Sequence, residues 1–135
     1  MGTPSAPDAT FFIIDEHDWA DDAATGSVPA ELLEEARRRG GGGRKLMAQG
    51  EGGFHSTYSI MPPGYAMAAH RHDHDELIVV IAGGAAFGHE AKPIRAGDSV
   101  VVPAGVVHRF VCGPEGMELV TVARGPARTE LVQEG

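Results

Sequence analysis

Apolar and polar positions along this chain predict many short strands and a single helix. Turns rich in glycine, proline and aspartate recur every six to twelve residues, which is typical of an all-β sandwich or barrel. Residues 76–82 (ELIVVIA) are apolar at both parities, so we expect a strand that is buried on both faces. Glycines at 83 and 84 and the GPEG segment at 113–116 predict turns. The other predicted strands are 45–49, 54–61, 85–89, 99–102, 108–112 and 117–123.

The first forty residues follow a different pattern. Residues 1–9 are small and polar and predict a loose tail, and residues 10–14 favour an edge strand or a strand that pairs with a second subunit. Residues 29–39 predict a helix, because proline stands near its first turn, acids come early and arginines come late. The predicted organisation is an arm with tail, short strand and helix at 1–40 and one β-barrel domain at 41–135.

Composition excludes several classes of partner. The 135 residues suit one domain, and a formal net charge of −8 disfavours nucleic acid and anionic membranes. Cys112 is the single cysteine, so no intramolecular disulfide can form, which fits a cytoplasmic protein. The longest apolar run near the N-terminus, 11–14, is too short for a signal peptide or a membrane span. The exposed edges of a β-fold favour a homodimer.

Four side chains form a candidate metal site. His70, His72 and Glu76 lie in HRHDHDE, and His108 ends PAGVVH. Three imidazoles and one carboxylate suit a borderline transition metal. A straight strand would place Glu76 roughly 20 Å from His70 at about 3.3 Å per residue. We therefore predict a turn at 73–75 that returns Glu76 on a neighbouring strand.

The residues around these side chains resemble the two motifs of the cupin superfamily. The first motif has the spacing Gly64-x5-His70-x-His72-x3-Glu76-x6-Gly83. The second has the spacing Gly97-x5-Pro103-x-Gly105-x2-His108. The second motif commonly has asparagine four residues after its histidine, where this chain has Cys112.

This resemblance covers residues 64–112. The short segment between the two motifs resembles that of small single-domain bacterial cupins. It implies a double-stranded β-helix, or jelly-roll, barrel with one divalent metal on His70, His72, Glu76 and His108. Nitrogen and oxygen ligands without thiolate suit Fe(II), Mn, Ni, Co or Zn, and Fe(II) is our first choice. The implied function is an Fe(II)-dependent dioxygenase acting on a small chelating carbonyl or enol compound. The alternatives are a non-redox isomerase, lyase or cyclase and a non-catalytic ligand-binding or sensor protein.

Strand parity suggests which other residues surround the site. The alternation along 54–61 favours Tyr58 on the inner face with Phe54 and Ile60, and Tyr58 is the candidate acid or base. His55 and Gln49 are further candidates for that role, with His55 expected to be exposed. We expect His74, Asp73 and Asp75 to be solvated turn residues. The alternatives are that His74 is a further metal ligand or contacts a ligand, and that the two acids orient imidazoles. Arg44 and Arg109 are candidates for holding a substrate carboxylate, although Arg109 is expected at the surface. The predicted pocket comprises Gln49, Tyr58, Met67, Phe87, Phe110 and Cys112.

Overall fold

The computed structural model describes residues 8–20, 30, 31, 34, 42–126 and 128–132. Apart from three helical positions at 30, 31 and 34, the regular structure of these residues consists of strands and short 3₁₀ turns. The strands are β1 Arg44–Gln49, β2 His55–Met61, β3 His70–His72, β4 Glu76–Phe87, β5 Lys92–Arg95, β6 Ser99–Val102, β7 Phe110–Ala123 and β8 Thr129–Leu131.

Two antiparallel sheets contain all of these strands. The larger sheet has the order β1-β2-β7-β4-β5, with β6 beside β4, and the smaller sheet pairs β3 with β8. Isolated bridges from His70 to His108 and from Ala66 to Val111 connect the two layers. The core between them is apolar and includes Ile78, Val80 and Leu119. The prediction of an all-β fold is confirmed.

The first half of β4 is buried on one face only. Ile78 and Val80 are buried, whereas Leu77 and Ile81 are 37% and 44% exposed. The prediction of burial on both faces is therefore wrong. Because β4 lies between β6 and β7 in the same sheet, its alternate side chains point either to the core or to the outer surface.

The glycines at 83 and 84 bend β4 and do not end it. The strand continues to Phe87, with register shifts against β7 between Val80 and Ala82 and between Gly83 and Ala85. Such bulges bend a strand and increase its twist. The segment 113–116 likewise lies within β7 and is not the turn that its sequence predicts. The two long strands thus curve together and pass from one set of partners to the next.

The N-terminal segment lies against the outer face of β1. Residues 10–14 do not form the predicted edge strand in the single chain, since 8–13 are irregular and Ile14–Glu16 form a 3₁₀ turn. Pairing of this segment with a second subunit stays a prediction. Lys45 Nζ donates a hydrogen bond to the carbonyl oxygen of Ile14 and lies 4.7 Å from the ring centroid of Trp19.

The predicted helix at 29–39 lies mostly outside the described residues. Three of its positions, Ala30, Glu31 and Glu34, are described and have helical backbone. Among the described residues, no helix has the length and apolar character that crossing a membrane requires.

Candidate metal centre

Three histidine rings converge between the two sheets. His70 and His72 are in β3, and His108 lies just before β7. One ring nitrogen from each histidine lies within 4.8 Å of the other two. The ring centroids of His70 and His108 are 4.2 Å apart, which is close enough for both rings to contact one ion. The three imidazoles can therefore hold a metal ion.

The opposite nitrogen of each ring contacts a fixed neighbour. Nδ1 of His70 donates to the carbonyl oxygen of Ala68 at 2.7 Å, and Nδ1 of His108 donates to that of Val106 at 3.2 Å. A carbonyl oxygen can only accept, so Nδ1 carries the proton and Nε2 keeps its lone pair for a metal. Nδ1 of His72 lies 3.0 Å from Oγ1 of Thr129 on β8. Local backbone and the C-terminal strand thus orient the rings.

Glu76 brings a carboxylate to the same place. It is the first residue of β4, and its Oε2 lies 3.3 Å from Nε2 of His72. Burial raises the pKa of Glu76 to about 7 and lowers the pKa of His70 to about 4. Burial also lowers the pKa values of His72 and His108. Neutral imidazoles beside a desolvated carboxylate match the donor chemistry of a divalent transition metal.

These side chains come from both layers of the fold. We predicted that Glu76 would return on a strand adjacent to His70 and His72, but β3 pairs with β8 and β4 belongs to the larger sheet. The predicted turn at 73–75 is present as a bend between β3 and β4. It carries the chain from one sheet to the other, so Glu76 faces the histidines across the interior.

The acids of this bend bind backbone and are not merely solvated. Oδ1 of Asp73 accepts from the amide of Arg128 at 2.7 Å, and Oδ1 of Asp75 accepts from the amide of Ala104 at 2.9 Å. They fix the ends of the loops beside the histidines. The side chain of His74 is 38% exposed and lies outside the histidine cluster, as expected for a turn residue.

A cavity of about 310 Å³ opens onto the histidines and Glu76. Of the predicted pocket residues, Gln49, Met67 and Phe110 line it. Phe87 and Cys112 do not: Phe87 stacks beside His108 at a centroid distance of 6.1 Å, and Cys112 is in the core. Burial raises the pKa of the Cys112 thiol to about 11, which suits an apolar filler better than a nucleophile.

Tyr58 faces away from the cavity, contrary to the prediction. Its neighbours Thr57 and Ser59 line the cavity instead. Tyr58 is buried on the other face of β2, with its ring centroid 6.3 Å from that of Trp19, and its hydroxyl donates to Oε1 of Glu118. Burial, together with this bond, raises the pKa of Tyr58 to about 12. This placement does not support a catalytic role for Tyr58.

The prediction of which face of β2 points inward was wrong because the wall of the cavity is partly polar. Apolar residues were assigned to the inside, yet Phe54 is 55% exposed and His55 lines the cavity. Arg44 also lines the cavity. Arg109 is exposed, and its Nη2 lies 3.4 Å from Nδ1 of His89. The polar side chains at alternate positions of 54–61 were the signal in the sequence for a cavity with a partly polar wall.

Three further features were not predicted, and the first is strand β5, where Pro93 had indicated a break. Strand β8 was missed, although the alternation of Thr129, Glu130 and Leu131 was visible in the sequence, and with it the Thr129 contact to His72. The apolar part of the cavity wall, including Leu46, Ile78 and Leu119, was also missed, because these residues come from three different strands.

The fold and the site define a small jelly-roll protein with a three-histidine centre that can hold a metal. A family model described as "Cupin domain" matches residues 57–123. The chain belongs to the cupin superfamily, as its two motifs predicted.

Solved structures support the same fold. KdgF from Halomonas sp. is 22% identical, with a TM-score of 0.63, and the match covers 87% of this chain and 94% of that chain. An RmlC-like cupin from Shewanella frigidimarina is 21% identical, with a TM-score of 0.61 and coverage of 86% and 90%. Oxalate decarboxylase from Bacillus subtilis is 21% identical, with a TM-score of 0.53, and the match covers 62% of this chain and 25% of that chain. A comparison with curated protein sequences found no match.

Metal affinity should fall as the pH drops below about 7, because the pKa of Glu76 is raised to that value by burial. A bound metal requires the carboxylate, so below this pKa a proton competes and each pH unit weakens binding by up to about tenfold. The histidines compete only at lower pH, since their pKa values are lowered. Competition titrations with Zn(II) from about pH 5 to pH 8 measure this slope.

Glu76→Gln is the control for this titration. It should bind metal more weakly at every pH and should lose the slope between about pH 6 and pH 7, because no carboxylate remains to titrate. A wild-type affinity that does not change across this range would contradict the assignment of Glu76 to the site.

Proposed function

We propose that this chain is a metal-dependent enzyme that acts on a small organic molecule in the cavity beside His70, His72, Glu76 and His108. The observation that carries the proposal is the convergence of three ring nitrogens within 4.8 Å of one another at the wall of a 310 Å³ cavity. A cavity of this size suits a small molecule. The homodimer, the cytoplasmic location and the division into arm and barrel stay predictions.

An Fe(II)-dependent dioxygenase acting on a chelating carbonyl or enol compound is the first candidate. When bound, the metal would supply Lewis acidity and, as Fe(II), redox chemistry with dioxygen. A divalent ion bound by three neutral imidazoles and one carboxylate would keep one net positive charge. If the ion were six-coordinate, two positions would remain for oxygen donors from other molecules. The apolar side chains of Met67, Ile78 and Phe110 on the cavity wall limit the access of water.

A non-redox isomerase, lyase or cyclase is the second candidate, and the position of His55 favours it. His55 lines the cavity and pairs across the sheet with Ala123, which in turn pairs with Glu76. Two strand spacings, about 10 Å, separate the α carbons of His55 and Glu76. The small side chain of Ala123 leaves room between them, so His55 is placed to exchange a proton with a molecule beside the metal site.

Anaerobic reconstitution followed by a screen of chelating carbonyl compounds separates the two candidates. A dioxygenase should consume dioxygen only with Fe(II) and substrate, should be inactive with Zn(II), and should keep its rate within a few-fold in His55→Gln. A non-redox enzyme should exchange substrate hydrogen with deuterated water without dioxygen, and His55→Gln should lower that rate by about a hundredfold. Binding without turnover across the screen would contradict both candidates and favour a ligand-binding protein.

A further inference from the structure

The charges that line the cavity are unlike those of the whole chain. The chain has a formal net charge of −8, yet Glu76 is the single acid among the described residues that line the cavity. Arg44 lines the same cavity and brings a permanent positive charge. A divalent metal held by Glu76 and neutral imidazoles would add a net positive charge. With such a metal bound, the described residues that line the cavity would therefore have a net positive charge, opposite in sign to that of the whole chain.

Arg44 lies at a distance from the metal centre that leaves space for a ligand. Across the sheet, Arg44 on β1 pairs with Ser59 on β2, and Ser59 pairs with Leu119 on β7. Leu119 then pairs with Val80 on β4, which is four residues from Glu76. On a flat sheet the α carbons of Arg44 and Glu76 would be about 20 Å apart, and the curvature of the sheet shortens this distance. Both side chains line one cavity, so a small molecule can lie between them.

Hydroxyl groups accompany Arg44 on this wall. Ser59 is adjacent to Arg44 across the strand pair and is only 6% exposed, and Thr57 pairs with Thr121 on β7. All three hydroxyl residues line the cavity. Each of these hydroxyl groups can donate a hydrogen bond to a carboxylate oxygen of a molecule in the cavity.

We propose that the cavity is specific for a small organic acid with oxygen donors at two ends, one at the metal centre and the other, a carboxylate, bound by Arg44 with Ser59. This inference rests on the proposed function, because one end of the ligand requires the metal. Arg44 and Ser59 determine specificity and take no part in bond breaking.

Titrations with simple acids test the second contact directly. The protein is loaded with Ni(II), its metal content is measured, and calorimetry then gives Kd values for the α,ω-dicarboxylates from oxalate to adipate. Each is compared with the monocarboxylate of the same carbon number. The best dicarboxylate should bind at least about tenfold more tightly than its monocarboxylate, as expected for one added charge-assisted contact.

Arg44→Met should abolish this preference while leaving the monocarboxylate Kd within about twofold, and Ser59→Ala should reduce it. The matched control is Arg95→Met, because Arg95 is exposed on β5 and does not line the cavity, so the preference should persist. Arg44→Lys serves if Arg44→Met does not fold, and a weakened preference is then expected.

Equal binding of the two acid types by the loaded wild-type protein would overturn the inference, as would an undiminished preference in Arg44→Met or, where that variant does not fold, in Arg44→Lys. In either case the proposed function would stand. A wild-type protein that retains no metal would overturn the proposed function and this inference with it.

Discussion

His72→Ala is expected to weaken metal binding by at least about a hundredfold, so that the purified variant retains little metal after dialysis. Removing one imidazole leaves two histidines and Glu76, and alanine offers no replacement donor. The fold should persist, because His72 lies at the cavity and not in the apolar core. Elemental analysis after dialysis against dilute Zn(II) measures the loss, and far-ultraviolet circular dichroism checks the fold.

The control for this experiment is His74→Ala. His74 is two residues away in the same segment but is partly exposed and lies outside the histidine cluster. It should keep the metal content of the wild-type protein. Full occupancy in His72→Ala would show that the metal binds elsewhere, and equal losses in the two variants would contradict the distinction between His72 as a ligand and His74 as a turn residue.

Gly83→Ala is expected to destabilise the fold by roughly 2–4 kcal/mol. Gly83 has a φ of +68°, and an added Cβ would lie 2.1 Å from the carbonyl oxygen of Gly116. The obstructing atom is backbone of β7, so the clash can be relieved only by separating the two long strands at their bulge. Denaturant unfolding of the metal-free protein measures the change in the free energy of unfolding.

Gly88→Ala isolates the steric part of this effect. Gly88 has a φ of +76°, but an added Cβ would have nothing within 4 Å. The free energy of unfolding of Gly88→Ala should therefore fall only by the cost of placing alanine in a left-handed backbone conformation, about 1 kcal/mol. Equal losses in the two variants would mean that strand contact at Gly83 contributes nothing beyond backbone conformation.

Much of the metal centre was predictable because its side chains follow a fixed spacing. The imidazoles of His70, His72 and His108 meet as the two motifs predicted, and Glu76 lies beside His72. The bend at 73–75 was inferred from distance alone, since a straight strand would have carried Glu76 out of reach. Most strand positions were also predictable, because turn residues separate them.

The remaining features depend on contacts between strands that are distant in the sequence, and local residue patterns do not predict these contacts. Glycine at 83 predicts a turn by local chemistry, yet here it permits a close approach between β4 and β7. Tyr58 was assigned to the interior by its apolar character, but the side chains of β2 that line the cavity are the polar ones, His55, Thr57 and Ser59. Burial of β4 on one face depends on which strands become its neighbours.

Anomalous diffraction from crystals of the protein grown with Zn(II), recorded on both sides of the zinc absorption edge, tests the central claim most directly. We predict one strong peak between the sheets, about 2.0–2.2 Å from Nε2 of His70, His72 and His108 and from a carboxylate oxygen of Glu76. A peak elsewhere, or no peak in crystals whose protein has bound zinc in solution, would contradict the account.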